Sequence, residues 1–274
     1  MMKQNTLFDL DSLIARVDME YPLTPVQRIG DIFIKRDDMY EIAGVAGGKA
    51  RSAYYLAQGA KGLVTAGARQ SPQIEIVANI AKYMNIPCRV HTIRGGITPE
   101  LQTAIDAGAE LIIHDDTWHN SVIIARARED AFKSKWTEIP FGMECWGAVR
   151  QTLLQVKNIP DEVKRIIVPI GSGMSCAGVL WGLKYFNKRI PVIGVQVGAD
   201  PLKRLNKYAP KEWRQMLTII QSEYDYHKPY ENNKYHGYLL DPIYEAKCLP
   251  YIQPDDLLWV VGIRKNLKEF NDQL

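Results

Sequence analysis

Lys49 follows the glycine-rich run Ala43-Gly44-Val45-Ala46-Gly47-Gly48 and stands where a helical pattern begins. An ammonium at a helix start faces the positive end of the macrodipole, and desolvation adds to that field in lowering its pKa. A neutral lysine amine is what Schiff-base chemistry requires. The plain alternative is a glycine turn carrying a surface lysine. A second segment, residues 168–178, links an apolar strand pattern to an apolar helix pattern through Gly171-Ser172-Gly173-Met174-Ser175. Free N–H groups and two hydroxyls at a helix N-terminus form a cradle for phosphate. The segment lacks the Gly-Lys-Ser/Thr ending of a P-loop, and its glycines miss the GxGxxG offsets. In a third loop, residues 65–73, Ser71 occupies an N-cap position and Pro72 the first helical position. That reading is structural, and spacing alone assigns Ser71 no catalysis. A fourth, residues 240–247, sets the Tyr244 phenol beside the Glu245 carboxylate and is by itself an ordinary turn.

Something must bring these loops together. Short β-branched runs at 32–35, 62–65, 88–92, 110–114, 165–169, 192–197 and 257–262 read as strands. Amphipathic stretches at 49–59, 73–85, 99–107, 118–135, 145–157 and 176–186 read as helices. Such alternation implies an α/β fold, with mainly parallel open sheets wrapped by helices. Ligands of these sheets sit beyond the carboxyl ends of the strands, where loops enter helix N-termini. Three consecutive βα units between about residues 60 and 140 suggest a smaller lobe, 51–139, nested in a larger one formed by 1–50 and 140–274.

Composition narrows the classes. The 274 residues are 46% apolar and 24% charged, with a net charge of +3, an ordinary balance for a folded domain. Mean hydropathy is −0.21, and no run approaches the roughly 18 apolar residues of a membrane span. The opening segment carries Asp9, Asp11 and Asp18 and lacks the apolar block of a signal peptide. Cys88, Cys145, Cys176 and Cys248 are scattered, without CxxC, and the five histidines (His91, His114, His119, His227, His236) are dispersed. Neither disulfides nor a metal site is expected, and the setting expected is soluble and cytoplasmic. Between Lys203 and Lys234, basic residues alternate with Tyr208, Trp213, Tyr224, Tyr226 and Tyr230. A stacking groove for nucleic acid has that composition. So does a solvated helix face followed by a polar loop, the preferred reading here.

Taken in order, the four loops resemble the tryptophan-synthase-β-like, fold type II, enzymes that use pyridoxal 5′-phosphate. The nearest branch is the 1-aminocyclopropane-1-carboxylate deaminase and D-cysteine desulfhydrase group. Tyr21-Pro22-Leu23-Thr24-Pro25 and Ile34-Lys35-Arg36-Asp37-Asp38 are similar to that group's opening, and the likeness runs from about residue 21 to 262. The resemblance implies that Lys49 forms the covalent link to the cofactor, while Gly171, Ser172, Gly173, Met174 and Ser175 hold its phosphate. It implies that Glu245 faces the pyridine nitrogen, that Tyr244 stands over the substrate and that Ser71 lies near the substrate carboxylate. A protonated ring nitrogen would make the ring a strong electron sink, and a released Lys49 could move protons.

The chain also departs from the pattern. Pro72 replaces the Asn usual after the serine, Gly48 precedes the lysine, Met174 stands where glycine is usual, and the end Gly262-Ile263-Arg264-Lys265 lacks a glycine pair. The altered loop makes Arg69, Gln70 and Gln73 candidates for contact with a different substrate. The first expectation is therefore a pyridoxal-phosphate lyase or deaminase acting on an amino acid, working as a homodimer. The second is a decarboxylase or tailoring enzyme acting on an amino-acid group attached to something larger, such as a modified nucleobase in DNA. The third is a binding protein that keeps the fold without the chemistry.

Overall fold

A computed structural model describes residues 22–226 and 228–262. Tyr21, His227, the acidic opening segment and the Ile263-Arg264-Lys265 end lie outside the described residues. Two sheets organise the chain. In chain order the strands are β1 (Val26–Ile29), β2 (Ile32–Arg36), β3 (Leu63–Ala66), β4 (Cys88–Ile93), β5 (Glu110–His114), β6 (Thr137–Ile139), β7 (Arg165–Ile170), β8 (Val192–Gln196), β9 (Leu217–Gln221) and β10 (Asp256–Val260). The helices are α1 (Gly48–Ala57), α2 (Pro72–Tyr83), α3 (Pro99–Asp106), α4 (Asn120–Ser134), α5 (Trp146–Leu154), α6 (Met174–Tyr185), α7 (Leu202–Tyr208) and α8 (Trp213–Met216).

The larger sheet runs β1-β2-β10-β7-β8-β9, parallel except for the β1–β2 hairpin. The smaller runs β5-β4-β3-β6 and is parallel throughout. Strands covered on both faces must be apolar along their whole length, and β10 and nearly all of β7 are buried. α6 packs tightly on α5: a Cβ at Gly178 would meet the Thr152 side chain at 2.5 Å, and one at Gly182 would meet Val156 at 2.4 Å. Glycine at those two positions lets the helices approach.

All four strands of the smaller sheet fall between residues 63 and 139. Its core also takes Ala50, Ala53 and Ala57 of α1. The expected boundary between residues 50 and 51 falls within α1. Three strands have no counterpart in the sequence reading. β1 exposes Gln27 and Arg28, β6 has only three residues, and β9 follows directly on the four-residue α8. No helix among the described residues is long and apolar enough to cross a membrane.

The charged run after Ile34 is buried: Lys35, Arg36, Asp37 and Asp38 are all 5% exposed or less. Arg51 of α1 forks onto Asp37, with Nη1–Oδ1 at 3.1 Å and Nη2–Oδ2 at 2.9 Å. Trp259 Nε1 and Thr24 Oγ1 also donate to that carboxylate. Asp37 is held below the usual carboxylate range by Arg51, against the opposing push of burial. This ion pair locks the first turn of α1 onto the end of β2. It fixes the place of Lys49, two residues before Arg51.

Candidate active site

Lys49 lies in the first turn of α1. The turn is tied down by Gly47 N–H to the Tyr40 carbonyl (2.9 Å) and Gly48 N–H to the Val261 carbonyl (2.8 Å). Its side chain lines a narrow cleft together with Ser52, Gly142, Thr152, Ser172 and Ser175. Burial lowers the Lys49 pKa, and the nearby carboxyls Glu245 and Asp241 oppose that shift. No hydrogen bond or ion pair engages its amine among the described residues. A half-buried, unengaged amine with a depressed pKa is a poised nucleophile.

The cradle segment is the N-terminus of α6. Gly173 is the N-cap at φ +89°, and no side chain caps the helix there. Ser172 Oγ donates to the Gly142 carbonyl at 3.3 Å, and Met174 N–H approaches the same Oγ at 3.5 Å. The first-turn donors thus face the cleft that Lys49 enters, and a helix N-terminus of 12 residues adds its dipole.

On the other side, Glu245 opens the 3₁₀ turn Glu245–Tyr251. Its Oε1 accepts Val261 N–H at 3.0 Å, whereas its Oε2 is buried with no partner. Burial and the Asp241 charge push the Glu245 pKa well above the usual carboxylate range. Val261 therefore holds both ends: its N–H fixes Glu245 and its carbonyl fixes the start of α1. Asp241 turns the chain by accepting from Ile243 N–H and Tyr244 N–H. The Tyr244 ring leans on the cradle, since a Cβ at Gly171 would lie 3.0 Å from its Cε1. Its hydroxyl meets that of Tyr226 at 2.8 Å. Burial, above all, raises the Tyr244 pKa and keeps the phenol protonated.

The remaining candidates separate. Ser71 caps α2, its Oγ accepting Gln73 N–H at 3.4 Å, with Pro72 at the helix start. Gln73 departs from its expected place in a substrate loop. It is 1% exposed, and its amide is fully engaged with Thr65 Oγ1, the Pro140 carbonyl and Gly142 N–H. It braces the turn that carries Gly142 into the cleft. Arg69 is pinned to the Gly96 carbonyl (3.1 Å), and Gln70 is exposed. Sequence reasoning missed Gly142 and Thr152, because turn carbonyls and helix-face residues carry no motif.

The stretch from Lys203 to Lys234 is not a helix face followed by a polar loop. It holds α7, α8 and the edge strand β9, and Tyr208 and Trp213 are core residues at 4% exposure. Lys207 and Arg214 lie over those rings. Among the described residues, no group of three or more His, Cys, Asp or Glu could hold a metal ion.

These residues fit the cofactor implied by the resemblance. An amine stands ready for its aldehyde, uncapped helix donors for its phosphate and an orphaned carboxyl oxygen for its ring nitrogen. Comparison with known proteins agrees. The family model described as pyridoxal-phosphate dependent enzyme matches residues 18–245. D-cysteine desulfhydrase of Serratia proteamaculans (strain 568) is 24% identical over 287 positions, covering 85% of this chain and 86% of that protein. The D-cysteine desulfhydrase of Klebsiella pneumoniae subsp. pneumoniae is 26% identical, covering 83% of each. Among solved structures, an ACC deaminase homologue matches with a TM-score of 0.75 at 20% identity, covering 96% of this chain and 98% of that one. At that identity the likeness shows the fold alone.

Proposed function

The chain belongs to the pyridoxal-phosphate-dependent enzyme family, and on that premise we propose that it is a lyase or deaminase breaking a bond next to the amino group of a small amino acid. The observation that carries this reading is that Lys49 and the N-terminus of α6 open into one cleft. Lys49 would hold the cofactor covalently and, once displaced by substrate, would stand beside the α-carbon as acid or base. Gly171, Ser172, Gly173 and Ser175, with the backbone of Met174, would hold the phosphate. Glu245 Oε2 would meet the ring nitrogen, and the protonated Tyr244 phenol would donate to the departing group. When bound, pyridoxal phosphate supplies the electron sink, deepened by a proton shared with Glu245. A cytoplasmic homodimer, with the lobes divided near residues 51–139, completes the proposal.

The test begins with borohydride treatment of the loaded protein and peptide mass analysis. A cofactor-sized mass added at Lys49, absent in Lys49→Ala, is expected. The loaded enzyme is then offered D- and L-cysteine, serine, threonine and 1-aminocyclopropane-1-carboxylate, with release of a 2-keto acid as the readout. Cofactor trapped on a different lysine, or no product from any of them, defeats the reading.

One observation favours a second reading. The start of α2 has its donors engaged: Pro72 has no N–H, Gln73 N–H meets Ser71 Oγ, and Ile74 N–H meets the Ser71 carbonyl. A substrate carboxylate gains little there, which suits a carboxylate that leaves as carbon dioxide. The substrate would then be an amino-acid unit attached to a larger molecule, a modified nucleobase in DNA included. Carbon dioxide release without ammonia, together with salt-sensitive nucleic-acid binding, would favour it.

A further inference from the structure

Lys247 is an unusual residue to bury. It is 0% exposed, and it forms no ion pair among the described residues. Its Nζ donates instead to two consecutive peptide carbonyls, Asp225 at 2.7 Å and Tyr226 at 3.4 Å. Of the other buried cations, Arg51 pairs with Asp37 and Arg36 with Asp38, while Lys35 donates to the Thr24 carbonyl and Asn158 Oδ1, which tie together the segments it joins. Burying this ammonium costs hydration that the nearby Asp225 and Asp241 charges offset only in part, so its stem alone, as in methionine, would serve packing better. Its role must lie in what the two carbonyls carry.

The local geometry directs it there. In a 3₁₀ turn successive side chains point about 120° apart. Glu245 takes the direction of Val261, Ala246 enters the core beside Leu258 and Val260, and Lys247 takes the third direction, toward residues 225–226. Tyr226 is 39% exposed, so burial alone does not hold its ring. Its phenol meets that of Tyr244 at 2.8 Å, and Tyr244 in turn lies on Gly171. A continuous path therefore runs from the Lys247 ammonium through the Tyr226 backbone and the two phenols to the cradle.

We propose that Lys247 is a positioning residue: it clamps the backbone of Asp225 and Tyr226 so that the Tyr226 hydroxyl holds the Tyr244 phenol over the site. The kinetic half of this inference rests on the proposed function. The cofactor contacts assigned to Lys49, the α6 start and Glu245 do not pass through Lys247, so cofactor loading and phenol placement separate.

The test uses the loaded full chain and Lys247→Met. Hydrogen exchange in residues 222–230 should quicken by about tenfold or more while β7 and the α6 start keep wild-type rates. Borohydride trapping at Lys49 should be unchanged. With an amino acid that the wild type consumes, kcat/KM should fall about tenfold or more, and adding Tyr226→Phe should cost nothing further. Exchange that stays unchanged in 222–230, or rises throughout the chain, overturns the proposal, as do additive losses from the two substitutions. If Lys247→Met does not fold, Lys247→Gln is read in the same way; loss of fold and cofactor in both makes Lys247 a general brace and ends the proposal. Should the wild type consume no amino acid, exchange alone decides the clamp, while that failure counts against the proposed function only.

Discussion

The starts of α6 and α2 are built oppositely. Both follow a central parallel strand, and both lie where ligands of such sheets gather. The α6 start has Gly173 as its N-cap and no side chain capping it. The α2 start has Ser71 folded onto Gln73 N–H and Pro72 in the first turn. At α6, among the described residues, only the Met174 N–H approaches a side chain, Ser172 Oγ at 3.5 Å, and the donors after it are left for an anion from outside; α2 satisfies its first donors from within. Position in the sheet therefore does not make an anion site. The capping residue decides whether the dipole and donors remain available.

Placing a fixed charge in the open start should have the largest effect. In Ser172→Asp a carboxylate would take the place of the phosphate and repel it. Two like charges at about 4 Å oppose each other by up to about 4 kcal/mol in a partly screened setting. Cofactor affinity should then fall by at least about 100-fold, while the added negative charge stabilises the empty protein through the α6 dipole. Titration with pyridoxal phosphate and a melting curve without it measure the two effects. Full loading at wild-type affinity would mean that the phosphate binds elsewhere.

The closed start should respond differently. Ser71→Ala removes the α2 cap and should lower stability by about 1 kcal/mol, with cofactor affinity unchanged. A denaturant midpoint checks the first expectation and cofactor titration the second. The family resemblance makes a sharper demand, because it sets Ser71 beside the substrate. A loss in kcat/KM well beyond the stability change would give the hydroxyl a role at the reacting carbon as well as at the cap.

The sequence made seven of the ten strands of the two sheets and six of the helices legible, because burial on both faces imposes apolar runs and packing on one face imposes a helical period. It also made Lys49, Ser172 and Ser175 legible as site candidates through their glycine-rich loops, whereas Glu245, in a turn ordinary by itself, was reached only through the family resemblance. Gln73 was misread as a substrate contact. A glutamine in a polar loop looks available, and only the fold reveals that Thr65, Pro140 and Gly142 use every atom of its amide. Lys35, Arg36, Asp37 and Asp38 gave no sign of burial, because the partners that pay for it come from residues as distant as Arg51 and Tyr238. Tyr226 lay in a stretch whose alternating charges and rings suggested a different partner altogether. Long-range pairing of this kind leaves no local period.

The contrast between engaged and open donors extends to the smaller lobe, with a weaker effect. His114 on β5 accepts from Arg126 at Nδ1 (2.9 Å), so its proton lies on Nε2, 3.0 Å from His91 Nδ1. His91 then donates from Nε2 to Asp130 at 3.0 Å. Every ring nitrogen is matched when both rings are neutral, and a further proton would set two donors against each other. Burial, then His91 and Arg126, accordingly lower the His114 pKa. The folded state thus takes up this proton less readily than the unfolded chain, whose histidine titrates near 6.5. The stabilisation is present above about pH 6.5 and is lost as the pH falls from there toward the lowered folded value. Melting curves between about pH 7.5 and 5.5 should show a decline that His114→Gln flattens. Cofactor affinity at the α6 start should not follow that decline through the histidine pair. An equal decline in His114→Gln would assign the acid sensitivity to other groups and leave the His91–His114 pair without a part in it.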